Sequence, residues 1–178
     1  RFGIKLPDTV NIIIEEDEVV YAVKDETGQW WLMNSSGRVV TQGTSSTVAN
    51  KTQILGVNLD NPVPNEHAVA MESAPAVTDT TDPSGETVAE ITPVTTTGAQ
   101  RLDAALEILK ALEANDIVGS AASVDVSRID DIVLWYGTRY QVNLGDSTRL
   151  DYKIACMNSV IAQMSEYQSG VLDCSFTI

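Results

Sequence analysis

The chain has 178 residues, and its 11 Lys and Arg against 25 Asp and Glu give a formal net charge of −14. This balance argues against nucleic acid and anionic lipid as partners, because Lys and Arg recognise both. The length predicts one domain with an appended piece, and no apolar run reaches the roughly 18 residues of a membrane-spanning helix.

The first 41 residues read as strands separated by turns. A β-branched run at Val10–Ile14 and a second run at Val19–Val23 flank an acidic connection. Asp25–Gly28 and Asn34–Gly37 are turn sequences. They predict a strand at 29–33 and a returning strand at 38–41, which pair as a β-hairpin.

Composition changes abruptly over residues 61–99. This stretch holds five of the six prolines, eight threonines and six acidic residues, with no Lys or Arg and no apolar period. Such a composition buries too little area to offset its ordering entropy. We therefore expect a long, acidic and mostly disordered insertion.

Periodic patterns return at Ala99. Apolar residues at helical spacing predict an amphipathic helix of about four turns that ends near Asn115. Three strands then follow at 123–127, 131–136 and 139–144. A second amphipathic helix starts after Ser147 and is stopped by Ser169 and Gly170, and a last alternating strand covers Val171–Ile178.

This order predicts an α+β fold, with a mostly antiparallel β-sheet and two amphipathic helices on one face. Neighbouring strands are joined mostly by short turns, which favours antiparallel pairing. The two cysteines, Cys156 and Cys174, lack the close spacing of zinc or redox motifs. We expect free, mostly buried thiols, although the sequence leaves a disulfide between them open.

Catalytic, cofactor-binding and metal-binding motifs are not found. The only histidine, His67, lies in the Pro/Thr-rich stretch, whereas a general base needs rigid surroundings. The carboxylates of Glu15–Glu18 and of Asp130–Asp131 are adjacent in sequence, so strand geometry would point neighbours to opposite faces. We therefore predict that the protein is not an enzyme and uses no cofactor.

Two binding alternatives stay open. Asp79, Asp82 and Glu86 surround Gly85, but their spacing does not match an EF-hand loop. Aromatic residues could line a sugar-binding face, although alternation favours core positions for several of them and places only one of the adjacent Trp30 and Trp31 inward. These aromatic residues are Trp30, Trp31, Trp135, Tyr136 and Tyr140. The alternative function is therefore a cell-surface or wall-associated module that binds glycan or calcium.

Several segments, in order along most of the chain, resemble the FtsQ/DivIB family of bacterial cell-division proteins. Leu6–Glu16 is similar to the family's "LP-x-T-(I/V)-x-I-x-(V/I)-x-E" segment, which closes its POTRA domain. Trp31–Val40 is similar to the "W-x-L-(I/V)-(D/N)-x-x-G-x-V" hairpin. The remaining similar segments are Ile54–Gly56, Val124–Gly145, Leu150–Ile154 and Gly170–Phe176.

The resemblance implies a domain organisation and a location. Residues 1–22 would be the C-terminal remnant of a POTRA-like domain. Residues 23–178 would be the family's β domain, carrying the acidic insertion at 61–99. The region would lie on the extracytoplasmic side of a bacterial cell membrane, held by a single upstream helix.

The resemblance also implies a function and partners. Family members are non-enzymatic scaffolds of the division machinery that bind small coiled-coil proteins of the FtsL and FtsB (DivIC) type. In the family, the last strand and the end of the preceding helix bind the partner. The matching residues here are Tyr167, Gln168, Val171, Asp173, Ser175, Phe176 and Thr177.

Physical chemistry gives the same location a separate rationale. A terminal strand at a sheet edge has unpaired N–H and C=O groups that can accept a partner strand. An interior position for this strand, with no such edge, is the alternative that the sequence leaves open.

Overall fold

A computed structural model describes residues 21–72, 96–165 and 167–175. These residues form an α+β fold around one eight-stranded sheet. The strands are β1 (Tyr21–Asp25), β2 (Trp30–Met33), β3 (Val39–Gln42), β4 (Thr52–Leu59), β5 (Ala121–Asp125), β6 (Ile132–Tyr136), β7 (Tyr140–Gly145) and β8 (Gly170–Asp173). The helices are α1 (Ser45–Val48), α2 (Gly98–Ala114) and α3 (Leu150–Ile161), with a 3₁₀ turn at Val118–Ser120.

The strands lie in the order β3-β2-β1-β4-β5-β6-β7-β8. Four of the seven pairings are antiparallel, namely β1 with β2, β2 with β3, β5 with β6 and β6 with β7. The parallel pairings join β1 to β4, β4 to β5 and β7 to β8. The predicted fold class and the mostly antiparallel sheet are therefore confirmed.

The main core lies between α2, α3 and one face of the sheet. Ile108 and Leu109 of α2 and Ile154 of α3 are fully buried there against inward residues of the strands. A smaller cluster on the opposite face joins Ala22, Leu32 and Val48, so α1 covers only the β1 and β2 region of that face. The alternation of side chains along each strand produces this separation of the two faces.

Two predicted turns form through side-chain oxygens. Asp25 Oδ1 accepts hydrogen bonds from the backbone N–H groups of Thr27 and Gln29, at 2.8 and 2.9 Å. Asn34 Oδ1 accepts from the N–H groups of Ser36 and Arg38 in the same way. In both turns, a side-chain oxygen accepts hydrogen bonds from backbone N–H groups that would otherwise need a backbone acceptor. Asp and Asn therefore favour turns at the ends of strands.

The central strand β4 has no counterpart among the predicted strands. Its pattern is interrupted at Gly56, which has a φ of +85° and lies beside a shift in the β1–β4 register. A Cβ atom at Gly56 would lie 2.2 Å from the backbone N of Ser127. The absence of a side chain at Gly56 therefore allows the backbone of Ser127 to approach β4 closely. The same glycine interrupts the alternation of apolar and polar residues that would have predicted a strand here.

The expected insertion at 61–99 begins with ordered residues. Asn65 N–H donates to Val39 O at 2.8 Å, and Val39 N–H donates to Glu66 O at 2.9 Å. Ala70 is buried and forms an isolated bridge with Leu59. The prediction of disorder is therefore wrong for residues 61–72, because backbone hydrogen bonds to β3 and β4 order a segment with little apolar area. Residues 73–95 lie outside the described residues.

The domain boundary predicted between residues 22 and 23 falls inside β1. Tyr21 and Ala22 are both buried and both pair with β2 and β4. Residues 21 and 22, which the resemblance assigns to the POTRA-like remnant, therefore belong to a strand of the described sheet. Residues 1–20, which include the predicted strand Val10–Ile14 and the acidic Glu15–Glu18, lie outside the described residues.

Candidate functional site

The last described strand, β8, forms one edge of the sheet. It pairs in parallel with β7, and the N–H groups of Gly170 and of Cys174, the residue after β8, donate to Arg139 O and Asn143 O at 3.0 and 2.8 Å. Backbone groups alternate in direction along a strand, so the N–H and C=O groups of Val171 and Asp173 point away from β7. Within the described ranges, no protein group is bonded to this outer side of Val171 and Asp173.

The side chain of Asp173 ends the strand. Its Oδ1 accepts hydrogen bonds from Ser175 Oγ at 2.6 Å and from Ser175 N–H at 3.0 Å. These two bonds hold the pKa of Asp173 below its usual value. Gly145 permits the close passage of this segment, because a Cβ atom there would lie 3.0 Å from Ser175 Cβ. Among the residues described up to 175, the edge available to a partner strand is therefore short.

The turn that leads into β8 is anchored to β7. Gln168 Oε1 accepts from Ser165 N–H at 2.8 Å, and Gln168 N–H donates to Ser165 O at 3.1 Å. The guanidinium of Arg139 donates to the carbonyl oxygens of Ser165 and Gln168, at 3.4 and 3.5 Å. Tyr167 is 96% exposed at the tip of this turn. The turn therefore presents an aromatic ring beside the edge of the sheet.

A groove runs between α3 and β8. It contains a cavity of about 240 Å³, lined on the helix by Tyr152, Cys156 and Val160 and on the strand side by Leu172 and Cys174. Tyr152 and Val160 are 52% and 42% exposed, so the rim of the groove includes accessible apolar surface. Leu172 and Cys174 also pack against the main core.

An ion pair between a buried lysine and a partly exposed aspartate lies beside the groove. Lys153 is only 2% exposed, and its Nζ donates to Asp146 Oδ1 at 2.8 Å and to Asp146 O at 2.9 Å. The hydrogen bond from Lys153, aided by those from Thr148, lowers the pKa of Asp146 to about 2. A buried ammonium needs such partners, and this one ties the first turn of α3 to the end of β7.

The structure brings together most of the residues predicted for partner binding. Tyr167, Gln168, Val171, Asp173 and Ser175 form a continuous path from the turn along the edge of the sheet. Val171 is 62% exposed and, by alternation, lies on the face opposite Leu172. The last two predicted residues, Phe176 and Thr177, lie outside the described residues.

Sequence reasoning missed the helix side of the groove. Tyr152, Cys156 and Val160 are spaced by four residues and share one side of α3, next to the apolar stripe that faces the core. The sequence did carry a signal for this surface, because the apolar residues of α3 cover a wider part of the helix than packing against the core requires. The cysteines are half-buried free thiols rather than mostly buried ones, because both face this open groove.

The carboxylate and histidine candidates do not assemble into a site among the described residues. Asp130 and Asp131 are exposed and lie 3.0 and 3.8 Å from the same partner, Arg128. His67 is exposed and forms an isolated bridge with Arg38. Across 21–72, 96–165 and 167–175, no group of three or more His, Cys, Asp or Glu residues could hold a metal ion. The predicted calcium ligands Asp79, Asp82 and Glu86 lie outside these ranges.

The aromatic residues are spread over different environments. Tyr140 is buried, and Trp31 and Tyr136 pack against the main core. Trp30 packs on the opposite face with α1, so of the two adjacent tryptophans only Trp31 contacts the main core, as alternation predicts. Trp135 is 40% exposed. These five side chains therefore do not form one exposed stacking surface for a sugar.

A wide polar cleft of about 1000 Å³ opens at the end of the sheet that includes the Asn34 turn and the 3₁₀ turn. Lys51, Glu113 and Asp116 line it, together with Ser, Asn, Ala and Gly residues. Glu113 Oε1 accepts a hydrogen bond from the Tyr21 hydroxyl at 2.8 Å. The cleft is larger than the groove at β8. None of the described residues that line it has a buried side-chain polar atom without a hydrogen-bond partner, so nothing in the cleft identifies a ligand.

Among the described residues, none of the helices has the length and apolar character needed to cross a membrane. Comparison of the chain with models of protein families, with curated proteins and with solved structures gave no match. The resemblance to the FtsQ/DivIB family therefore rests on the sequence segments quoted above and is carried further only as a proposal.

Proposed function

We propose that this protein is a non-enzymatic scaffold that binds a coiled-coil division protein of the FtsL or FtsB (DivIC) type at the outer edge of β8. The observation that carries the proposal is the outward direction of the Val171 and Asp173 backbone groups, which have no partner among the described residues. A strand that is exposed in this way can be extended by a strand of another chain.

Strand addition has two components, and this edge offers both. Main-chain hydrogen bonds to Val171 and Asp173 would supply affinity that does not depend on the partner's sequence. The groove between α3 and β8 and the exposed ring of Tyr167 would contact the partner's side chains and supply specificity. Because the strand itself is short, we expect these side-chain contacts to contribute much of the buried area.

The cellular setting follows from the sequence resemblance alone. It supports a place for this region on the extracytoplasmic side of the cell membrane, tethered by a helix upstream of Arg1. The acidic balance of the chain does not oppose this proposal, because strand addition depends on backbone groups rather than on charge.

The proposal is tested by measuring binding of purified FtsL- and FtsB-type extracytoplasmic segments from the same genome by calorimetry and pulldown. Removal of residues 170–178 should abolish binding. V171P should lower the affinity at least about fivefold, because proline removes one outward N–H whose hydrogen bond is worth about 1 kcal/mol.

The matched control is V171T, which keeps a β-branched side chain and the N–H group and should bind like the unaltered protein. Circular dichroism would show that each variant retains its fold. Unchanged binding by both V171P and the truncated chain would contradict the proposal. Calorimetric binding of calcium or wall glycan by the unaltered protein, without binding of either segment, would favour the alternative function.

A further inference from the structure

Two thiols line the same side of the molecule from different elements. Cys156 lies on α3, Cys174 follows β8 directly, and both side chains line the 240 Å³ groove cavity. Both are free and only half-buried, so a small-molecule oxidant can reach the groove that they line. No other cysteine occurs in the chain.

The pKa of one thiol depends on the presence of the other. Burial raises the pKa of Cys174, and the nearby Cys156 and Asp173 raise it further. Cys156 in turn raises the pKa of the Tyr152 phenol, which lies one turn before it on α3. Cys156 on α3 is therefore close enough to Cys174 to influence its charge across the groove.

We propose that Cys156 and Cys174 are a redox pair whose disulfide fastens β8 to α3. The oxidant would be a small-molecule disulfide of the glutathione type. One protein thiolate attacks it, forms a mixed disulfide and releases one small thiol. The second protein thiolate then displaces the other small thiol and forms the protein disulfide. Two protons and two electrons thus pass from the cysteine pair to the oxidant.

The cross-link would act on the inner side of the edge strand. Cys174 already donates its N–H to Asn143 O at 2.8 Å, and Leu172 faces the core, so the new bond reinforces contacts that exist. The outward backbone groups of Val171 and Asp173 would stay accessible. Oxidation would therefore fix the position of β8 and fill part of the groove without closing its outer edge.

The test incubates the full chain in oxidised and reduced glutathione and follows it by intact mass, peptide mapping and thermal unfolding. The expected product is monomeric, lacks two hydrogens and carries a peptide cross-linked between Cys156 and Cys174. Closing a loop of about 18 residues should raise Tm by roughly 5 to 10 °C. Hydrogen exchange of the Cys174 amide should slow in the oxidised protein.

The variants C156S and C174S are matched controls, since each keeps a similar volume and leaves one thiol. Each should carry a single glutathione adduct at its remaining cysteine, with no rise in Tm. The inference would be overturned if the unaltered protein carried glutathione on both cysteines, stayed fully reduced, or formed only cross-links between two molecules. None of these outcomes depends on whether a division protein binds.

Discussion

The two edges of the sheet differ in what covers them. At the β3 edge, the N–H and C=O groups of Val39 are both engaged by Asn65 and Glu66, and Val39 is fully buried. At the β8 edge, Val171 is 62% exposed, and its outward backbone groups have no partner among the described residues. Proteins usually protect strand edges, and this difference among the described residues is the reason that we propose the β8 edge, rather than the β3 edge, as the surface for a partner.

The cover of the β3 edge comes from the first part of the Pro/Thr-rich stretch. Residues 63–70 run beside β3 and β4, where Ala68 N–H donates to Gly37 O and Asp60 N–H donates to Val69 O, each at 2.8 Å. Glycine is needed at position 37, whose φ is +79°. Residues 63–70 therefore protect the β3 edge through backbone hydrogen bonds, although the segment buries few apolar side chains.

The largest expected effect comes from placing proline at the covered edge. V39P removes the N–H that donates to Glu66 and replaces a fully buried side chain. We expect the free energy of unfolding to fall by roughly 3 to 5 kcal/mol. Urea denaturation measures this change, and a loss below about 1 kcal/mol would mean that the cover contributes little to the stability of the edge.

An intermediate effect is expected from acid, because the β8 side depends on an ion pair whereas the β3 cover depends on backbone hydrogen bonds. Asp146 has a pKa of about 2 in the folded protein, below the usual 3.8 of an aspartate side chain. Its stabilising contribution is therefore complete above about pH 4 and is lost as the pH falls towards 2. The side chain of Asp146 is 53% exposed, so solvent screens the ion pair. We therefore expect the ion pair to contribute only about 1 kcal/mol to the free energy of unfolding.

The check is urea unfolding at about pH 5 and about pH 2.5, with D146N compared with the unaltered protein. The variant should be less stable at the higher pH and should lose less stability on acidification. Other carboxylates, including Asp25 and Asp173, also have lowered pKa values, so a smaller acid dependence will persist in D146N. An identical pH dependence of the two proteins would show that Lys153 does not need the Asp146 carboxylate.

The smallest effect is expected for proline at the open edge. V171P replaces an exposed side chain and removes an N–H that points away from β7. The free energy of unfolding should change by less than about 0.5 kcal/mol, because proline is tolerated where a strand needs no donor. As a control, L172P removes an N–H directed at β7 and should be clearly destabilised. Equal losses in V171P and L172P would show that the outer side of β8 is engaged.

Periodicity predicted most of the described helices and strands because each carries its own signal. The helix α2 (Gly98–Ala114) and the strand β6 (Ile132–Tyr136) lie close to their predicted limits. The strand β4 was missed because Gly56 interrupts its alternation, and α1 was missed because it has only four residues. The predicted strand Val171–Ile178 ends early among the described residues, at Asp173, whose side chain takes the next N–H group.

The candidate site was predictable in part. The alternation that exposes Val171 and directs Leu172 inward is visible in the sequence, and the structure confirms it. The groove was not predictable, because it forms where two segments that are separate in sequence, around Cys156 and Cys174, come together. Local patterns specify which face of an element is apolar, but they do not specify which other element lies beside it.

The sequence by itself determined the fold class, the faces of most elements and the turns that Asp25 and Asn34 close. Only the tertiary structure decided the strand order, in which β4 lies between β1 and β5 through two parallel pairings. It also decided that β8 lies at an edge and that residues 63–70 cover the opposite one. The physical reason is that hydrogen bonds within a turn join near neighbours, whereas strand pairing joins residues far apart whose partners no local period encodes.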